Sequence, residues 1–129
     1  MTLRRWLHQH PLFTLWLPLV AWMGLIFCLS AQPDFPHPEV DWLEGLIGIG
    51  AHMFLFGVLA VLWARSLQGQ RRTLLLAFLL TMLYALLDEF HQSFVPGRTA
   101  DPLDLVYDGL GAALALGAWA WLQHRRASN

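Results

Sequence analysis

Residues 88–111 of the chain read DEFHQSFVPGRTADPLDLVYDGLG. This is the most polar segment of a strongly apolar sequence, and it lies between two apolar runs that are each nearly long enough to cross a bilayer. Ionisable side chains are costly to place near hydrocarbon, so each of them needs a partner or a function. We therefore expect the chemistry of this protein to lie in and around this segment.

The composition indicates a membrane protein that forms one domain over residues 1–129. Hydrophobic residues make up 57% of the chain and charged residues 13%, whereas soluble domains carry about 25% charged residues. The only cysteine, Cys28, cannot form a disulfide within the chain. The sequence has no basic patch typical of nucleic-acid binding, so we expect no nucleic acid among its partners.

Four apolar runs predict four transmembrane helices: residues 12–29, 46–67, 73–87 and 103–122, with the third continuing as a helix to residue 92. Backbone polar groups in lipid must be satisfied within the segment, so helices are expected, and no alternating pattern suggests a barrel. The first run resembles a signal sequence, but Leu29 is too bulky for a cleavage site, and we expect it to be retained. The predicted fold is an all-α bundle of four transmembrane helices.

The arginines predict the orientation of the bundle. Seven of the eight fall at one end of the predicted helices: Arg4, Arg5, Arg65, Arg71, Arg72, Arg125 and Arg126. Arginine-rich loops stay in the cytoplasm, so both termini are predicted to be cytoplasmic and the polar segment faces outward. Tryptophans fit two interfacial belts, with Trp6, Trp63, Trp119 and Trp121 inside and Trp42 outside. The chain is predicted to be a multi-pass membrane protein.

The loops and the fourth helix also carry local signals. Pro33, Pro36 and Pro38 predict an extended first outer loop, and residues 40–46 suit a short interfacial segment. Asp101 is a good N-cap and Pro102 suits the first position of helix four. Small residues further along that helix predict close helix packing: Gly109, Gly111, Ala113, Ala115 and Gly117.

Six polar side chains are predicted to converge near the outer ends of helices two, three and four. His52 and Glu89 are the candidate catalytic residues, because an imidazole with an ordinary pKa of about 6.5 and a carboxylate suit acid–base work. The candidate binding residues are Gln92, Arg98, Asp104 and Asp108. The turn at Pro96 and Gly97 is expected to aim Arg98 so that it bridges Glu89 to Asp104 or Asp108.

Structural roles for the same residues stay open. His52 alone suits a hydrogen-bonded structural histidine, Glu89 suits a simple ion pair with Arg98, and Asp104 suits a carboxylate that favours the helix dipole. Asp88 and His91 rank second as site residues because they adjoin Glu89 and point elsewhere on the helix. The spacing matches no metalloprotease motif and no phosphate-binding glycine loop, so neither a metal nor a cofactor is predicted.

At these residues the sequence resembles the VanZ-like family of small bacterial membrane proteins. The matching pattern is Glu89-x-x-Gln92-x-Phe94-Val95-Pro96-Gly97-Arg98, followed by Asp104, Asp108 and Gly111, with His52 before Phe56 and Ser30-x-Gln32-Pro33 upstream. The chain departs from the family pattern at Ile49, where many members have lysine, and at Asp108, where many have asparagine. The family is named for a protein linked to teicoplanin resistance, so the resemblance implies a role at the cell envelope and a location in the inner membrane of a bacterial cell.

Three classes of function fit the sequence, and it leaves open whether the protein is an enzyme. The first is an outward-facing pocket for membrane lipids or a lipid-linked envelope component, linked to glycopeptide resistance or envelope lipid handling. The second is a non-enzymatic membrane scaffold or interaction protein, in which the polar network only fixes helix packing. The third is a transporter or proton pathway, which the lack of acidic residues in mid-membrane and of repeated helix pairs disfavours. The oligomeric state does not follow from the sequence.

Overall fold

The computed structural model describes residues 11–33 and 41–128, and all regular structure within them is helical. A π-helical segment, Leu12–Trp16, leads into α1 (Leu17–Ser30), and α2 (Asp41–Ser66), α3 (Thr73–Gln92) and α4 (Pro102–Ala127) follow. Four spans are long and apolar enough to cross a membrane: Phe13–Ser30, Glu44–Ser66, Thr73–Gln92 and Pro102–Ala127. The predicted all-α bundle of four membrane helices is confirmed. Predictions about Arg4, Arg5, Trp6, Pro36 and Pro38 lie outside the described residues.

Helix ends follow local signals in the sequence. The Asp101 carboxylate accepts a hydrogen bond from the Leu103 N–H at 2.9 Å, and Pro102 begins α4, as predicted. Gly97 has a φ of 79°, a left-handed conformation that glycine adopts without strain, so the predicted turn before Arg98 is present. Residues 41–46, expected as a short interfacial segment, are the first turns of α2 itself.

Glycines bring α2 and α4 into close contact. A Cβ atom added at Gly111 would lie 2.2 Å from the Met53 carbonyl oxygen, and one at Gly57 would lie 3.1 Å from the Gly111 oxygen. The predicted close packing of helix four is therefore present at Gly111. It is not uniform, because a Cβ atom at Gly117 would meet open space.

Side-chain hydrogen bonds hold α1 against the other helices. The indole Nε1 of Trp22 donates to the Leu55 carbonyl at 2.9 Å, and the Tyr84 hydroxyl donates to the Met23 carbonyl at 2.6 Å. Between these contacts lies an apolar core of Leu19, Ile26, Phe56, Leu59 and Ala85. Large apolar side chains cover much of the outer surface of all four helices, as expected for a protein that faces lipid.

Candidate functional site

His52 of α2 meets two aspartates of α4. Its Nδ1 lies 2.9 Å from Asp108 Oδ1 and its Nε2 lies 3.6 Å from Asp104 Oδ2. Asp108 is 2% exposed, and Asp104 is part-exposed at the rim. The two aspartates are one helical turn apart, so one imidazole reaches both. The structure thus brings together His52, Asp104 and Asp108, as the sequence predicted.

A second group of hydrogen-bonded polar side chains connects α1 to α3 and to the loop that follows α3. Asp88 Oδ2 accepts hydrogen bonds from the Ser30 hydroxyl at 2.8 Å and from Gln92 Nε2 at 2.9 Å. Arg98 Nη1 then donates to Gln92 Oε1 at 3.3 Å, and Arg98 Nε donates to the Gln32 carbonyl at 3.1 Å. The buried side chains of Ser30, Asp88 and Gln92 therefore each have a hydrogen-bond partner on another element.

Arg98 does not make the predicted bridge. Among the described residues its guanidinium has no carboxylate within 4.0 Å, and Asp104 and Asp108 contact His52 instead. The prediction that Arg98 joins Glu89 to Asp104 or Asp108 is therefore wrong. The physical reason is that the turn aims Arg98 towards α1 and Gln92, whereas α4 presents its aspartates to α2.

Among the described residues, Glu89 makes no hydrogen bond or ion pair with another predicted site residue. Its Oε1 accepts a hydrogen bond from the backbone N–H of Asp101, which fixes the start of α4 against the end of α3. Its side chain is buried and lines a shallow depression of about 300 Å³ with Leu86, Phe90 and Pro102. This depression is separate from the cavity that His52 lines. An acid–base role for Glu89 stays a prediction.

Asp88 has a larger part in the site than the sequence indicated. It is 6% exposed and receives two hydrogen bonds, although its position beside Glu89 ranked it second. Its four-residue spacing to Gln92 and the Ser30-x-Gln32 motif are the sequence signals that could have identified it. His91, also ranked second, stacks on Phe27 at 4.5 Å between ring centroids and turns away from the cavity.

A cavity of about 370 Å³ joins the two polar groups. Its polar lining consists of Ser30, Gln32, His52, Asp88, Gln92 and Arg98. Its remaining walls are apolar and come from α1 and α2. Within the described ranges, no set of three His, Cys, Asp or Glu side chains is arranged to hold a metal ion. The cavity therefore offers a guanidinium, a carboxylate and an imidazole beside apolar walls.

One protein-family model matches the part of the chain that contains the whole site. The model of the VanZ/LLP1 family matches residues 13–123, which include every polar residue of the cavity. The chain belongs to this family. No curated protein and no solved structure matches the chain.

Proposed function

We propose that this membrane protein binds the anionic headgroup of an envelope lipid, or of a lipid-linked envelope component, in the His52–Arg98 cavity. The observation that carries the proposal is the guanidinium of Arg98, which lines the cavity and has no acidic partner among the described residues. Six described acidic side chains lie at this end of the helices, and none of them forms an ion pair with Arg98: Glu44, Asp88, Glu89, Asp101, Asp104 and Asp108. The carboxylates nearest the cavity contact other side chains, so the guanidinium keeps unused N–H donors that can bind an anion supplied from outside the chain.

The donor geometry supports a phosphate-bearing ligand. A guanidinium has five N–H donors, and those at Nε and Nη1 already bind Gln32 and Gln92. These two hydrogen bonds fix the plane of the group and leave other donors for a ligand. Arginine recognises phosphate through paired hydrogen bonds, and apolar walls beside it accommodate the start of a lipid chain. The arginine distribution predicts that this end of the bundle is outside the cytoplasm.

His52 is the group in the cavity best suited to move a proton. Asp108 holds its Nδ1, as a buried carboxylate does in many sites where a histidine must keep one orientation. The Nε2 atom is then the one available to exchange a proton with a ligand or with Asp104. We assign Asp108 to positioning the ring and Asp88 to hydrogen bonding with polar groups of the ligand.

Binding of a polyprenyl phosphate to the purified protein tests the proposal. Removing a charge-assisted contact in Arg98→Gln should weaken binding about tenfold or more. Arg71→Gln is the matched control, because Arg71 is exposed at the opposite end of the bundle, and its affinity should equal that of the wild type. Equal affinities for wild type and Arg98→Gln would refute an anion site at Arg98. Teicoplanin susceptibility of cells that carry each variant tests the link to resistance.

A structural role is the second candidate, and one observation favours it. The side chains of Ser30, Asp88, Gln92 and Arg98 form a continuous series of hydrogen bonds without any ligand. These bonds are therefore able to serve only to hold α1 against α3. In that case Arg98→Gln lowers the unfolding temperature in detergent, and it changes teicoplanin susceptibility only as far as the loss of folded protein explains. If Arg98→Gln abolishes the effect of the protein on teicoplanin susceptibility while its stability is unchanged, the result supports the binding site instead.

A further inference from the structure

An apolar groove of about 660 Å³ runs along α2 on the side where α4 packs. Its lining residues on α2 recur every three or four positions and include Gly50, Gly57 and Arg65. This spacing places them along one face of the helix, and the distance from first to last is about 22 Å at 1.5 Å per residue. Gly111 and Ala115 of α4 form part of the other wall. The groove is therefore long, narrow and parallel to the helix axis.

Arg65 is the one charged residue of this groove and lies at its end. In the described part of the chain it has no hydrogen bond from its side chain and no ion pair. The acidic side chains that the structure describes belong to the other end of the bundle: Glu44, Asp88, Glu89, Asp101, Asp104 and Asp108. No described acidic side chain within residues 11–33 and 41–128 neutralises Arg65, so this arginine is available to an anion from another molecule.

We infer that this groove binds an anionic phospholipid, with one acyl chain along α2 and the phosphate at Arg65. The apolar walls match a hydrocarbon chain, and the arginine at the end of the groove matches the charge of the headgroup. Basic residues at the ends of membrane helices attract anionic lipids of the adjacent leaflet. The groove shares no lining residue with the His52–Arg98 cavity, and its Arg65 end lies at the opposite end of α2 from that cavity.

A second copy of the chain fits the groove less well. Copies in one membrane share the same orientation, so a neighbour would place its own arginine-bearing helix ends at the level of Arg65. Its acidic residues would lie at the far end of the bundle, where they cannot neutralise this arginine. Charge complementarity thus favours a lipid over a symmetric dimer.

Native mass spectrometry of the detergent-purified protein tests this site. Phosphatidylglycerol and phosphatidylcholine with identical acyl chains are titrated, and the dissociation constant of the first bound lipid is measured. The wild type should prefer phosphatidylglycerol. Arg65→Gln should weaken phosphatidylglycerol binding about fivefold, the effect of one basic residue near an anionic surface, and should leave phosphatidylcholine binding unchanged. Arg65→Lys should retain the preference, and Arg71→Gln should behave as the wild type.

A second variant tests the groove itself. A Cβ atom added at Gly50 would meet nothing within 4 Å, so we expect Gly50→Leu to fold normally, to fill this part of the groove and to weaken the binding of both lipids. Gly117→Leu is its matched control, because Gly117 also has open space and does not line the groove. The Arg65→Gln effect should persist in Arg98→Gln protein, which separates this site from the cavity. Unchanged phosphatidylglycerol affinity in Arg65→Gln, or a lipid-free dimer that Gly50→Leu dissociates, would overturn the inference.

Discussion

The polar end of the bundle and the α2–α4 contact beneath it are stabilised in opposite ways. At the polar end, His52 and Asp108 contact each other through a 2.9 Å hydrogen bond between charged or chargeable groups. One residue further along α2, Met53 packs against Gly111 by shape alone, with no room for a side chain between the two helices. The comparison shows that the polar contact depends on the apolar one. The imidazole reaches Asp108 only because glycine lets the backbones approach.

The largest effect is expected from a change in the apolar contact. Gly111→Ala places a methyl carbon only 2.2 Å from the Met53 carbonyl oxygen, so α2 and α4 must separate. We expect a loss of about 3 kcal/mol in the free energy of unfolding, the upper part of the range for overpacking. Denaturant titration in detergent measures it. Gly117→Ala, where the added methyl group meets open space, should differ from wild type by less than about 0.5 kcal/mol. Equal stability of the two variants would show that the close contact is not required.

A smaller effect is expected from the polar partner. Asp108→Ala removes a buried acceptor from His52 and should lower stability by about 2 kcal/mol, as for hydrogen bonds to charged groups. Asp104→Ala should cost less than about 1 kcal/mol, because Asp104 is part-exposed and 3.6 Å from the ring. A double-mutant cycle with His52→Ala measures the coupling directly. Zero coupling between His52 and Asp108 would break the proposed link between the two helices.

The hydrogen bond between Ser30 and Asp88 should contribute less again. Ser30→Ala removes one neutral donor from Asp88, while Gln92 continues to donate, so the expected loss is about 1 kcal/mol. Ser93→Ala is the matched control, since its hydroxyl bonds only to the nearby Phe90 carbonyl and is exposed. Unfolding temperatures of the two variants in the same detergent give the comparison. Identical temperatures would mean that α1 is held by its apolar contacts and backbone acceptors alone.

Glu89→Gln should have the smallest effect on stability. The amide oxygen of glutamine still accepts from the Asp101 N–H, so we expect a loss below about 1 kcal/mol and unchanged binding in the cavity, which Glu89 does not line. Glu89→Leu, which removes the acceptor, should be clearly less stable. If Glu89→Gln keeps its stability and its ligand but loses the cellular phenotype, Glu89 acts in proton transfer and the functional site extends beyond the cavity.

Local signals in the sequence were sufficient for the helices. The observed spans differ from the apolar runs by a few residues, because hydrocarbon thickness and backbone hydrogen bonding set both the length and the type of each segment. The start of α4 followed from Asp101 and Pro102 because a capping interaction involves only neighbouring residues. The close packing at Gly111 was also predictable from its small size, but the residue that it packs against, Met53, was not.

Only the tertiary structure decided which polar groups pair. Asp88 and Glu89 are adjacent, yet one helical step turns a side chain by about 100°, so Asp88 bonds to Ser30 of α1 and Glu89 bonds to the start of α4. Arg98 likewise contacts Gln92 and Gln32 rather than an acid. The sequence by itself determined how deep each polar residue lies along its helix, because depth follows from counting residues. It did not determine which neighbour each residue faces, because that depends on the rotation and packing of all four helices together.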